Sequence, residues 1–170
     1  GYAQIGSDEA NAIFAKAGVT AGIGVEKGRL LATDMKKLAK LPLLHQPGEK
    51  WTYGLNTDLL GYLVEVVSGK SLDQFFRERI FAPLGMNDTY FYLPRGKYNR
   101  LANLFDEKDG KLELAPDRIV QNGVFITNYP KTEGTYFSGG AGLSSTALDY
   151  ALFLQMMLNE GELNGKRLLS

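Results

Sequence analysis

Ala10, Ile13, Phe14 and Ala17 recur at the spacing of one helical face, which predicts a short amphipathic helix that Ser7 or Asp8 caps and Gly18 ends. Residues 18–28 carry four glycines and read as a flexible excursion. A second helix is expected from near Thr33, presenting Met35, Leu38 and Ala39 before Pro42 stops it. The strongest pattern follows. Leu60, Leu63, Val64 and Val67 make one stripe, Leu59, Tyr62 and Val66 make most of the remainder apolar, and Gly69 provides a C-terminal cap. A helix so apolar is expected to be central and buried, with Gly61 kept for a close packing contact, since glycine costs about 1 kcal/mol of helix propensity against alanine.

Ser71-Leu72-Asp73-Gln74 reads as a capping box opening a fourth helix, with Leu72, Phe75, Phe76 and Ile80 inward and a stop near Pro83. Beyond Met86 the pattern becomes extended. Residues 101–105 and 111–114 flank an Asp109-Gly110 turn that suits a hairpin, and 115–140 reads as irregular. Thr146-Ala147-Leu148-Asp149 is a second capping box, and Ala147, Tyr150, Ala151, Leu154, Met157 and Leu158 form the expected buried face of a last helix ending before Gly161. No internal repeat or low-complexity tract interrupts the pattern, so the 170 residues read as a single domain.

Composition narrows the function classes. Nineteen basic and nineteen acidic side chains cancel, and Lys36, Lys37 and Lys40 are the nearest thing to a basic cluster, so there is no electrostatic footprint for nucleic acid or an anionic membrane. No apolar run approaches the roughly 18 residues of a membrane span. The absence of cysteine rules out disulfides and thiolate metal sites but suits cytoplasmic and periplasmic or secreted proteins equally. His45, the one histidine, has no second imidazole to share a metal and reads as a loop hydrogen-bonder. Gly22-Ile23-Gly24 and Gly139-Gly140-Ala141-Gly142 both lack the context of a dinucleotide-binding turn, so no cofactor is expected. Asp106, Glu107 and Asp109 flank a turn and read as solvated rather than as a glycosidase pair. The start at Gly1 and the end at Ser170, just after Lys166-Arg167-Leu168-Leu169, suggest a piece of a longer chain.

The segment from His45 to Gly61 holds the chemistry. His45-Gln46-Pro47-Gly48-Glu49-Lys50-Trp51-Thr52-Tyr53-Gly54 places one tyrosine on a glycine-bounded loop at the mouth of the apolar helix. This motif, with Gly69-Lys70-Ser71, Phe81-Ala82-Pro83-Leu84-Gly85-Met86 and Gly139-Gly140-Ala141-Gly142-Leu143-Ser144-Ser145-Thr146, resembles the serine β-lactamase, penicillin-binding protein and esterase superfamily, well over residues 40–170 and poorly before them. The resemblance implies an α+β, mainly helical fold: the all-α lobe of a β-lactamase-like domain with a small antiparallel β hairpin. It implies that Tyr53 is the catalytic acid/base. A phenol ionises near pH ~10, and a neighbouring lysine cation in a desolvated site favours the phenolate, which takes a proton from a serine and passes it to a leaving group. The family's serine and lysine lie in a Ser-x-x-Lys pair, which occurs nowhere in these 170 residues, so the chain alone is expected to be inactive.

This sequence departs from the family at one informative place. The family's asparagine stands two residues after the tyrosine; here that residue is Leu55, and Asn56 follows it. In β-lactamases and D,D-peptidases this amide binds a substrate amide, so leucine favours an ester substrate over a β-lactam or peptide. Asn56 is either a displaced substrate-binding residue or a helix N-cap. Lys131-Thr132-Glu133-Gly134 is like the family's Lys-Thr-Gly but has an extra residue and follows Pro130, so it reads as a surface turn. Ser138 lacks a nucleophile-elbow context, and its following glycines read as close packing near the site. The expected partner is a small ester or β-lactam-like substrate of the parent protein. The alternatives are a non-catalytic module of the same fold that holds a peptide or cell-wall fragment, and an autonomous helical domain.

Overall fold

Helix α1 (Asp8–Ala17) turns Phe14 inward and ends at Gly18, whose positive φ of 64° gives the backbone reversal that glycine makes without strain. The structure, a computed structural model, describes residues 8–19, 28–116, 118–120, 123–125 and 127–170; Ser7 and most of the glycine-rich excursion lie outside these. Helix α2 (Leu31–Leu38) starts two residues earlier than expected, because extended Leu30 offers its carbonyl to the amides of Thr33 and Asp34. Leu31, Met35 and Leu38 are buried, while Ala39, expected inward, is an exposed C-cap. Arg29 grips both oxygens of buried Asp34 at 2.8 and 2.9 Å and donates to the Gly18 carbonyl at 2.6 Å, tying the end of α1 to the start of α2.

Phe14, Val19, Leu31, Met35, Leu38, Leu55 and Tyr136 form the first core. Helix α3 (Asn56–Ser68) meets it through its first turns and ends on left-handed Gly69 as expected. The expected burial of α3 is not found. Only Asp58 and Gly61 are buried, and Leu59, Leu60, Leu63, Val66 and Val67 are exposed. The reason is steric: α3 approaches its neighbours through its narrowest position. A Cβ on Gly61 would stand 2.9 Å from Leu72 Cδ2 and 3.4 Å from the Gly139 Cα, and among the described residues nothing covers the wide apolar face opposite.

Helix α4 (Leu72–Phe76) runs through a π-helical turn (Arg77–Phe81) into α5 (Ala82–Leu84). Ser71 caps it by accepting from the Gln74 amide, but Gln74 reaches on to Glu78 rather than back, so half of the capping box forms. Pro83 sits inside the last turn rather than stopping the helix, and Gly85 at φ 76° makes the stop. Phe81, Leu84, Met86, Met156 and Leu163 form the second core. Phe91, stacked on Phe76 and edge-on to Phe137, joins this side of the molecule to residues 136–144.

Three antiparallel hairpins complete the described fold. In β1 (Phe105–Lys108) and β2 (Lys111–Leu114), Asp109 and Gly110 both take positive φ, as the predicted turn requires. The strand begins at 105 rather than 101. The second hairpin, β3 (Arg118–Val120) with β4 (Gly123–Phe125), falls where irregular chain was expected. The third, β5 (Glu162–Leu163) with β6 (Lys166–Arg167), turns on Asn164-Gly165, a two-residue turn signal that the apolar pattern does not show.

Helix α6 (Ala147–Leu158) contradicts the expected face. Ala147, Tyr150, Ala151, Leu154, Met157 and Leu158 are exposed, and the inward stripe is Asp149, Leu152, Phe153 and Met156. An acid leads that stripe because it is fully used there. The Asp149 carboxylate accepts from the Asp88 amide at 2.7 Å and the Thr89 hydroxyl at 2.8 Å, while Thr146 caps the helix by accepting from the Asp149 amide. Asp88 in turn is paired with Arg100 and Lys97, which hold its carboxyl down at about 2.

Candidate active site

Tyr53 lies on the loop that leads into α3, its side chain 54% exposed and edge-on to Trp51 with ring centroids 6.2 Å apart. Its hydroxyl has no hydrogen-bond partner among the described residues, so the direction of the ring is set by the backbone that carries it. That backbone is fixed on both sides. On one side the Thr52 hydroxyl lies 2.7 Å from His45 Nε2. His45 Nδ1 sits 2.9 Å from the Gln46 carbonyl, which can only accept, so a neutral ring holds its proton on Nδ1 and Nε2 accepts from Thr52. His45 is the loop hydrogen-bonder expected of it. On the other side Leu55 is 0% exposed, seated in the first core.

Asn56 does not cap α3. It is the first helical residue and is exposed; the N-cap position belongs to Leu55, which has no polar side chain to offer. Leucine here turns into the core because α3 needs an apolar anchor between α2 and Tyr136, and this leaves the place beside Tyr53 without the side-chain amide of the family pattern.

The most highly built polar contact in this region escaped the sequence reading. Asp58, in the first turn of α3 and 2% exposed, accepts from the Ser138 hydroxyl at 2.7 Å. Burial pushes its carboxyl up from 3.8, and the Ser138 hydroxyl, with the nearby Gly140 and Gly139 amides, pulls against that rise. Ser138 Oγ lies within reach of the amides of Gly140 and Ala141, at 3.2 and 3.3 Å. A polar residue three places into a helix reads as ordinary first-turn acid, and the pairing spans 80 residues, so only the Ser-Gly-Gly spelling at 138–140 could have hinted at it.

The glycines after Ser138 are there for contact, as expected. A Cβ on Gly139 would stand 2.3 Å from the Thr57 carbonyl oxygen, and one on Gly142 would stand 2.7 Å from the Phe91 ring. Gly139→Ala therefore forces backbone apart and is expected to destabilise the protein by about 1–3 kcal/mol. Gly61→Ala meets the tip of the Leu72 side chain at 2.9 Å, makes only ordinary contacts at 3.4 Å with the Gly139 Cα and Leu31, and gains helix propensity of about 1 kcal/mol, so it is expected to fall within about 1 kcal/mol of wild type. Denaturant unfolding of the two variants checks the contrast; equal losses would contradict it.

Thr132 folds back onto the Tyr129 carbonyl, and Gly134 packs under the Tyr92 ring, so the Lys-Thr-Glu-Gly segment is a turn. Among the described residues no group of three or more His, Cys, Asp or Glu is placed to hold a metal ion, and no helix is long and apolar enough to cross a membrane.

Comparison with known proteins agrees with this geometry. Residues 13–170 match the Beta-lactamase family. Protein Rv1367c of Mycobacterium tuberculosis is 38% identical over 135 residues, covering 78% of this chain and 31% of that protein. Lovastatin esterase of Penicillium rubens is 34% identical over 139 residues, covering 81% of this chain and 33% of that protein. Among solved structures, EstCE1, a hydrolase with promiscuous acyltransferase activity, superposes with a TM-score of 0.72 at 26% identity, covering 91% of this chain and 42% of that one. The chain thus spans about a third of the length of the curated relatives it matches. Its mainly helical α+β arrangement is that of the helical lobe of a β-lactamase-like fold.

Proposed function

Because the chain belongs to the beta-lactamase family, we propose that it is part of a serine hydrolase that works through an acyl-enzyme on ester substrates, with Tyr53 as the acid/base. In this reading a serine supplied by another part of the longer protein loses its proton to the Tyr53 phenolate and attacks the ester carbonyl. The C–O bond breaks as the phenol returns that proton to the departing alkoxide, and water then repeats the exchange to release the acid. The 170 residues are one part of a larger catalytic domain and are inactive alone.

The observation that carries the preference for esters is the burial of Leu55. The position from which the family's asparagine would grip a substrate amide is taken by a side chain turned into the core, and an ester has no amide N–H to grip. The relative named lovastatin esterase supports the same preference. Asn56, exposed one residue further on, is the remaining candidate for a substrate contact. The test is turnover by the full-length protein of an aryl butyrate, a chromogenic cephalosporin and a D-alanyl-D-alanine peptide. Ester hydrolysis exceeding the other two at least about 100-fold in kcat/KM is expected. Preference for the cephalosporin or peptide would overturn the substrate class, and no turnover of any would favour a binding module.

A further inference from the structure

The Ser138-Gly139-Gly140 segment carries no chemistry in the proposed reaction, yet it makes the most heavily bonded buried contact near the candidate site. We propose that Asp58 and Ser138 are positioning residues for Tyr53: the Asp58 carboxylate, held by the Ser138 hydroxyl, whose oxygen in turn accepts from the Gly140 and Ala141 amides, locks the first turn of α3 and with it the loop that presents the phenol. This inference rests on the reading of Tyr53 as the acid/base.

Three observations support it. First, the Tyr53 ring touches only Trp51 among the described aromatic contacts, so any slack in the backbone between Thr52 and Leu55 passes directly to the phenol oxygen. Second, Leu55 and Asp58 belong to the same helical turn, joined by the Leu59 amide to the Leu55 carbonyl at 3.0 Å. Packing holds Leu55, but packing permits sliding and rotation; the directional bond from Ser138 to Asp58 does not. Third, the clamp is itself anchored at both ends. Tyr136 is buried in the first core and its carbonyl accepts from the Tyr92 hydroxyl at 2.7 Å, while Ser144 exchanges two backbone hydrogen bonds with Tyr90 at 2.8 and 2.9 Å. Between these anchors Gly139 lies against the Thr57 carbonyl closely enough that no side chain fits. A well-packed apolar pair at 58 and 138 would stabilise this joint as well as a buried carboxylate does, so what the polar version adds is a fixed geometry. That matters for proton transfer, in which a displacement of about 1 Å can lower the rate ~100-fold.

Ser138→Ala is the informative variant, because it removes the one hydroxyl that bonds Asp58 and leaves the carboxylate and the glycine backbone in place. In the full-length protein, kcat for an aryl ester is expected to fall at least about tenfold with KM within about twofold, the division that marks an interaction serving the reaction step rather than substrate binding. With 3-fluorotyrosine placed at position 53, its ¹⁹F resonance is expected to shift or broaden in Ser138→Ala and in Asp58→Asn. Wild-type kcat together with a wild-type resonance in Ser138→Ala, whatever happens to Tm, would overturn the positioning role. Tyr53→Phe measured alongside separates the two claims. Full turnover there refutes the role of the tyrosine, whereas the fluorine signal still reports whether the clamp holds the loop.

Discussion

Tyr53→Phe is expected to lower kcat/KM of the full-length protein for aryl esters by about 100- to 10,000-fold, the range that a positioned acid/base supplies. The substitution removes one oxygen from a half-exposed side chain whose hydroxyl has no partner among the described residues, so stability should be within about 0.5 kcal/mol of wild type. The ring stays against Trp51 and the loop stays pinned at Thr52 and Leu55. The loss should fall on kcat more than on KM, because the proton is exchanged in the reaction step. An ester with a very good leaving group needs less protonation of the departing oxygen, so the defect should shrink across a series of increasingly acidic phenols. A defect independent of the leaving group would limit Tyr53 to activating the nucleophile.

Asp58→Ala is expected to be among the most damaging single changes to the fold, at about 1–3 kcal/mol for the buried hydroxyl it leaves without an acceptor. It strands the buried Ser138 hydroxyl and leaves a cavity against Gly140. Against a total stability of about 5–15 kcal/mol that loss is large. Asp58→Asn distinguishes acceptor from charge. If burying the charge were the main term, the neutral amide would stabilise the protein. Its Nδ2 donates where a carboxylate oxygen accepts, so one acceptor is lost, and destabilisation results if the acceptor is the main term. The pH dependence has a definite sign. Burial raises the carboxyl in the folded protein, so the folded state takes up its proton at a higher pH than the unfolded chain does. Lowering the pH from above the folded value toward 3.8 therefore favours folding through this group, and the contribution disappears in Asp58→Asn. Thermal unfolding of the three proteins between about pH 4 and 7 measures all of this.

What the sequence revealed follows from which signals are local. The Ser71 and Thr146 caps, the stops at Gly18 and Gly69, and the Asp109-Gly110 turn depend on a few neighbouring residues, and the structure reproduces them, whereas the stop expected near Pro83 falls at Gly85. The family motifs around Tyr53 and Gly139 were equally legible. The errors came from inferring burial from apolar periodicity. In α6 the apolar stripe is exposed and the buried one begins with Asp149, whose partners Asp88 and Thr89 lie 60 or more residues away. In α3 the inward face is set by Gly61, whose missing side chain lets Leu72 and Gly139 come close, and by Asp58, whose carboxylate accepts from Ser138. The capping role considered for Asn56 failed for a related reason, since Leu55 was needed in the core and took the N-cap position.

The proposed division of labour, with Tyr53 here and the nucleophile elsewhere in the longer protein, is tested most directly by labelling the full-length enzyme with a fluorophosphonate and mapping the adduct by mass spectrometry. The expected result is a single modified serine outside these 170 residues, followed three positions later by lysine, with the labelling rate reduced at least about 100-fold by Tyr53→Phe. An adduct on Ser138 or another serine within this segment, or labelling that proceeds unchanged without the phenol, would contradict it.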